Sequence, residues 1–156
     1  MENGKMCSFF GHRTVDNKEN LYEEIEKTVN HLIDCGVTVF LFGGMGEFDF
    51  MCHSVVSKLK EKHPFIKRIF CLTDVIYLRK SKRPKYLKDE DYEDFVYLDL
   101  EFDYWYSRIY FRNCEMINKS DVVVFYAENR DNSGAYKALK YAVKSKKKII
   151  NLLRNK

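Results

Sequence analysis

Val37-Thr38-Val39-Phe40-Leu41-Phe42-Gly43-Gly44-Met45-Gly46-Glu47-Phe48-Asp49 decides the fold. A β-branched and aromatic run stops at two glycines, a third glycine follows, and an amphipathic stretch begins at Glu47. This is the pattern of a buried strand, a tight turn and a helix N-terminus. The unpaired N–H groups and the dipole of a helix start suit an anion, and glycine lets the backbone approach it closely. The same glycines also fit a strand-to-helix turn that needs them only for its geometry.

Outward from this segment the pattern repeats. Met6–Phe10 reads as a short strand ending at Gly11-His12-Arg13, and Asn20–Cys35 as a helix with apolar residues at Leu21, Ile25, Val29, Leu32 and Ile33. Gly36 closes that helix. The helix after the glycine turn runs from Glu47 to Lys62 and stops before Pro64, and Ile66–Leu72 forms a third strand. Asp103–Asn118 reads as a helix with Trp105, Ile109, Phe111 or Arg112, and Met116 at near-helical spacing. Val122–Tyr126 is a strand, Asn129–Gly134 a polar turn, Ala135–Ser145 a helix and Lys148–Leu153 a last strand.

Near-continuous apolar strands separated by helices predict a parallel sheet covered on both faces. The expectation is an α/β, Rossmann-like, doubly wound sheet of five strands in one domain spanning 1–156, with strand order 3-2-1-4-5. Ligands of such sheets sit at the carboxyl ends of the strands, near the point where strand order reverses. Three turns fall at such ends: Gly11-His12-Arg13, Gly43–Gly46 and Asn132-Ser133-Gly134. They are expected to line one crevice.

Composition narrows the class. A chain of 156 residues with 46% hydrophobic residues can build a real core. It has no run long and apolar enough for a membrane span, and Met1–Lys5 lacks the layout of a secretory signal. The five scattered cysteines, Cys7, Cys35, Cys52, Cys71 and Cys114, include no CxxC. They read as reduced thiols of a cytoplasmic protein, with no metal and no cofactor implied. The net charge of +4 is too modest to argue for nucleic acid. Its distribution is uneven: Arg79–Lys88 carries six basic residues and Asp89–Asp103 eight acidic ones. The two blocks read as a charged insertion over about 74–101 whose halves partly neutralise each other, and which could cover a ligand or a subunit contact.

The order of motifs resembles the SLOG superfamily, named for its Smf/DprA and LOG members, and above all its small stand-alone branch typified by YpsA. The residues are Phe10-Gly11-His12-Arg13, Gly43-Gly44-Met45-Gly46 with Asp49, Arg112-Asn113, Ser120-Asp121, Ser133-Gly134-Ala135, Tyr141-Ala142 and Ile149-Ile150-Asn151. The resemblance implies a nucleotide or ADP-ribose-like ligand and a role as sensor, carrier or sequestering protein; a homo-oligomer is a separate expectation. It also implies two alternatives: a LOG-like phosphoribohydrolase that releases a base from a nucleoside monophosphate, and a DprA-like binder of single-stranded DNA. Set against the hydrolase turn PGGxGTxxE, Phe42 replaces the proline, Glu47 the threonine and Phe50 the catalytic glutamate. Asp49 lies one residue earlier, about 100° around the helix.

The expected ligand contacts are therefore Gly11, His12, Arg13, Gly43, Gly44, Gly46, Asp49, Arg112, Asn113, Ser133 and Gly134. Backbone amides of the glycine turn would face a phosphate, Asp49 would hold ribose hydroxyls, and Arg13 or Arg112 would pair with a phosphate through a planar fork. Arg112 could instead hold the acidic insertion, and Asn113 the crevice backbone. His12 could touch a base or ribose, or buttress its turn. No catalytic residue is assigned.

Overall fold

The computed structural model describes residues 4–98 and 104–153. Six strands, β1 (Lys5–Gly11), β2 (Val37–Phe42), β3 (Lys67–Leu72), β4 (Asp94–Tyr97), β5 (Val122–Tyr126) and β6 (Lys148–Asn151), alternate with four helices. These are α1 (Lys18–Asp34), α2 (Glu47–Lys60), α3 (Arg108–Lys119) and α4 (Gly134–Lys144). All strand pairs are parallel, in the order β4-β3-β2-β1-β5-β6. The five expected strands are present in the expected order. The sixth, β4, lies inside the charged insertion and pairs Ile69–Leu72 with Asp94–Tyr97 at the sheet edge.

Alternation along the strands divides the core into two layers. Cys7 and Phe9 of β1 join Phe40, Phe42, Val122 and Val124 beneath α1 and α2, where Leu21, Ile25, Val29, Met51, Val55 and Val56 are buried. Phe10, Leu41, Val123 and Phe125 point the other way, onto Met116 and Ile117 of α3 and onto Ala138 and Ala142 of α4. Those two alanines let α4 lie close to the sheet, and Tyr141 Oη donates to Asn118 Oδ1 at 2.7 Å to hold α4 against α3.

The Ser120-Asp121 pair works at the opposite end of the strands from the three turns. Ser120 Oγ donates to the Met116 carbonyl at 2.7 Å and meets Ser8 Oγ at 2.9 Å. Asp121 Oδ2 accepts from the Met6 N–H at 2.8 Å. The pair fastens the start of β5 to β1. At the far end Asn151 fastens β6 to the chain leaving β5, with its side-chain amide bonded both ways to the Ala127 backbone.

In the insertion a few of the charges pair. Asp89 accepts from Arg83 at 3.3 Å and also meets Lys80, while Arg83 stacks on the Phe95 ring, 3.8 Å from its centroid. Glu93 is gripped by Arg68 at 2.7 Å, which anchors the insertion to β3. Asp99, Glu101 and Asp103 of the acidic run, and the expected helix start at Asp103, lie outside the described residues. The helix there begins at Arg108, after a short 3-10 turn at Trp105–Ser107. Trp105 is exposed and lies under the Arg108 guanidinium instead of in the core. Four of the five cysteines are buried, and all five are free thiols.

Candidate functional site

The strand ends bring the three turns together, and parallel pairing explains how. Gly11 pairs with Tyr126, so the chain leaving β1 runs beside the chain leaving β5. His12 ties them. Its Nε2 accepts from the Glu128 N–H at 2.9 Å, which puts its proton on Nδ1, facing Ser133 Oγ at 3.2 Å. Burial lowers its pKa, with the nearby Arg130 charge adding to the effect, so the ring is neutral at pH 7. His12 is a buttress between two loops.

Ser133 caps α4, its Oγ accepting from the Tyr136 N–H at 3.0 Å. With both Tyr136 and His12 donating to it, the hydroxyl's own proton is left to donate outward. The amides of Gly134 and Ala135 have no partner within the helix. Beside them lies Arg13, exposed and without an ion pair among the described residues. Arg130, by contrast, is engaged by Glu128. Gly11, His12, Arg13, Ser133 and Gly134 thus line one cavity of about 440 Å³, together with Met45, Ile109 and the Arg130-Asp131 pair of the third turn. Its N–H and O–H donors and Arg13 suit an anion, with the Asp131 carboxylate in the same lining opposing them.

The glycine turn has another side. Gly44 and Gly46 carry φ of +70° and +94°, a backbone region that glycine alone enters freely. Both are also packed: a Cβ on Gly44 would stand 2.8 Å from the Phe70 ring, and one on Gly46 would stand 2.6 Å from the Arg13 Cα. The Met45 N–H is taken by Asp49 Oδ2 at 2.7 Å, and the Glu47 N–H by the Arg13 carbonyl at 2.9 Å. Two amides expected to face a phosphate are therefore occupied. Gly44 and Gly46 instead line a second cavity of about 310 Å³, with Phe42, Asp49, Phe50, His53 and, from the insertion, Tyr86, Leu87, Asp91 and Tyr92. The three turns do not form a single crevice: Met45 faces the first cavity and its two neighbours the second.

Asp49 is 5% exposed, and its Oδ1 has no hydrogen-bond partner among the described residues. Burial pushes its carboxyl up to about 7, against the opposing pull of the Met45 N–H and the Arg112 charge. Glu47 is committed elsewhere, to Lys18 and to the Val15 N–H. These contacts hold its carboxyl below the ordinary range, the Lys18 bond first.

Arg112 and Asn113 sit differently from expectation. Arg112 is 2% exposed and lies beneath the turn, donating to the carbonyls of Gly43 and Cys71 at 3.2 and 3.3 Å. Asn113 Oδ1 accepts from its Nε and Nη2. Neither side chain lines either of the two cavities. A Cβ on Gly43 would stand 2.5 Å from Arg112 Nη2, and one on Gly11 would stand 2.4 Å from Phe48. These two glycines make room for packing. The residues not anticipated are those of the second cavity's outer wall, Tyr86 and Tyr92, together with His53, whose Nε2–H donates to the Asp91 carbonyl at 2.8 Å.

Fold and cavities together define a Rossmann-like α/β protein with small-molecule-sized cavities at the carboxyl edge of its sheet. No protein-family profile matches the sequence, and no curated protein is significantly similar to it. Solved structures share the fold. A molybdenum cofactor carrier protein from Chlamydomonas reinhardtii superposes with a TM-score of 0.60 at 17% identity, over 98% of this chain and 79% of that one. A second structure of the carrier gives 0.60 at 16%, covering 98% and 78%. The structural genomics target TM1055 gives 0.59 at 14%, covering 93% and 72%. Among the described residues no helix is long and apolar enough to cross a membrane.

Proposed function

We propose that this protein binds a nucleotide or ADP-ribose-like small molecule at the carboxyl edge of its sheet, as a carrier, sensor or sequestering protein. The observation that carries this reading is the first cavity. An unpaired arginine, two free helix amides and an outward-facing serine hydroxyl converge there on one space. That set matches a phosphate. The SLOG-like order of motifs supports a nucleotide-type ligand. The likeness to the molybdenum cofactor carrier protein supports a carrier role.

The test is a binding titration with ribose 5-phosphate, AMP, GMP and ADP-ribose. Arg13→Gln removes one charge-assisted contact, worth about 1.5–3 kcal/mol, and should weaken binding by about ten- to a hundredfold. Unchanged affinity in Arg13→Gln would place the ligand elsewhere.

One observation favours a second reading. A buried carboxyl with a pKa of about 7 and one free oxygen is suited to a general base. A nucleotide N-glycosidic hydrolase would use Asp49 in that way. Its signature is release of free base at many turnovers per protein.

A further inference from the structure

The second cavity has a composition of its own. Phe42, Tyr92 and Leu87 make its walls apolar. Phe50 and Tyr86 line it yet are 67% and 72% exposed, two aromatic faces standing largely in water. Phe50 comes from the first turn of α2 and Tyr86 from the insertion, so they approach the cavity from different elements. Its volume of about 310 Å³ is at the lower end of the range for small-molecule sites, about 300–1,000 Å³.

Two of the polar groups inside can accept a hydrogen bond, Asp49 once it is ionised and His53 through its second ring nitrogen. Asp49 Oδ1 is fully buried and has no partner among the described residues. His53 donates its Nε2 proton to the Asp91 carbonyl, and a neutral ring with its proton there keeps Nδ1 as an acceptor. Burial holds the His53 pKa down, so the ring stays neutral near pH 7. A buried oxygen without a donor costs free energy that a ligand N–H would recover.

We infer that the cavity between the glycine turn and the insertion is a subsite for a planar, amino-bearing purine-type ring, with Asp49 Oδ1 accepting the amino proton and Phe50 and Tyr86 supplying stacking faces. The inference rests on the nucleotide reading above and gives it a division of labour: phosphate in the first cavity, ring in the second, with the Gly44–Gly46 turn between them. The charged insertion then acts as the ring's outer wall, held by Arg68–Glu93 and His53–Asp91.

The experiment compares adenosine with purine riboside, which lacks only the amino group, by NMR titration of the full chain. Ribose 5-phosphate serves as the ring-free control. Adenosine should perturb the signals of Phe50, Tyr86 and Tyr92 and bind at least tenfold more tightly than purine riboside. Asp49→Asn should remove that preference. Stacking on an aromatic is worth about 1–3 kcal/mol, so Phe50→Ala and Tyr86→Ala should each weaken adenosine by about five- to a hundredfold. They should leave ribose 5-phosphate unaffected. Both side chains are largely exposed, so these variants fold.

Adenosine that leaves the second cavity unperturbed at millimolar concentration overturns the ring subsite, even where ribose 5-phosphate still binds near Ser133. Equal binding of adenosine and purine riboside overturns the amino recognition. Loss of ribose 5-phosphate binding alone defeats the phosphate reading and leaves the ring test intact, because neither nucleoside carries a phosphate.

Discussion

Asp49→Asn should make the ligand-free protein more stable at pH 8 than at pH 5 relative to the parent. The wild-type carboxyl titrates at about 7 in the folded chain and near its ordinary 3.8 when unfolded. Between those values the folded state holds the extra proton, so stability falls as pH rises from 3.8 to 7 and levels off above. Each pH unit is worth about 1.4 kcal/mol, so moving from pH 5 to pH 8 costs the parent about 3 kcal/mol that the amide does not lose. Asn keeps an oxygen for the Met45 N–H but places an unpaired amide group at the Oδ1 position, at about 1–3 kcal/mol. That cost is the same at both pH values and cancels in the difference. So do His12 and His53, whose lowered pKa values act in both variants alike. The groups facing Asp49 are Arg112, Cys52 and Tyr92. Tyr92 is pushed up to about 12 and Cys52 well above 9, while Arg112 keeps its charge, so none titrates in this window. Thermal melts of both proteins at pH 5 and pH 8 should therefore show the variant gaining roughly 6–12 °C on the parent between the two. Parallel shifts would refute the buried, partnerless carboxyl.

Gly44→Val forces a β-branched residue to φ +70° and into the Phe70 ring, so it should cost about 2–5 kcal/mol of stability, read as a fall in melting temperature. It disturbs the fold itself and so cannot serve as a clean block of a phosphate at that turn. Gly134→Val is the better block, because a Cβ there meets nothing within 4 Å; it should fold normally and lose ribose 5-phosphate affinity by tenfold or more. Incubation with AMP should release no free base above background, as measured by chromatography. Single-stranded DNA should bind weakly at physiological salt, and tight, steeply salt-dependent binding lost on neutralising Arg79, Lys80, Lys82 and Arg83 would contradict the insertion's internal ion pairing.

The sheet was legible because its inner strands are nearly all apolar, and a run such as Val122–Tyr126 has no other stable place than a parallel sheet covered on both faces. β4 escaped notice because Asp94-Phe95-Val96-Tyr97 is four residues long, half exposed and set among charges. The turns were legible from their glycines, but what those glycines face was not. Gly11 and Gly43 yield to Phe48 and Arg112, contacts 37 and 69 positions away in sequence. One signal was available for Arg112 and Asn113. They stand four residues before Met116 and Ile117, so they share the helix face that covers the sheet. That placement argues for burial under the turn over reach into the crevice. The outer wall of the second cavity had no local signature at all, since Tyr86 and Tyr92 meet α2 only through the packing of the insertion.

A carboxyl poised near neutrality serves equally well as an acceptor or as a base, so Asp49 alone does not separate binding from cleavage. The separation lies in what surrounds it. Breaking a glycosidic bond also needs a proton for the departing base, delivered as negative charge develops there. His53 lines the same cavity, but burial keeps it neutral and its single proton is engaged by the Asp91 carbonyl. Glu47, the other acid of the first helical turn, is held ionised by Lys18 and the Val15 N–H. Phe50, the residue after Asp49, is an apolar ring facing water and cavity together. An aromatic face there can hold a base but cannot activate water beneath it. The surroundings of Asp49 therefore favour a site that recognises an N–H and retains the molecule that bears it.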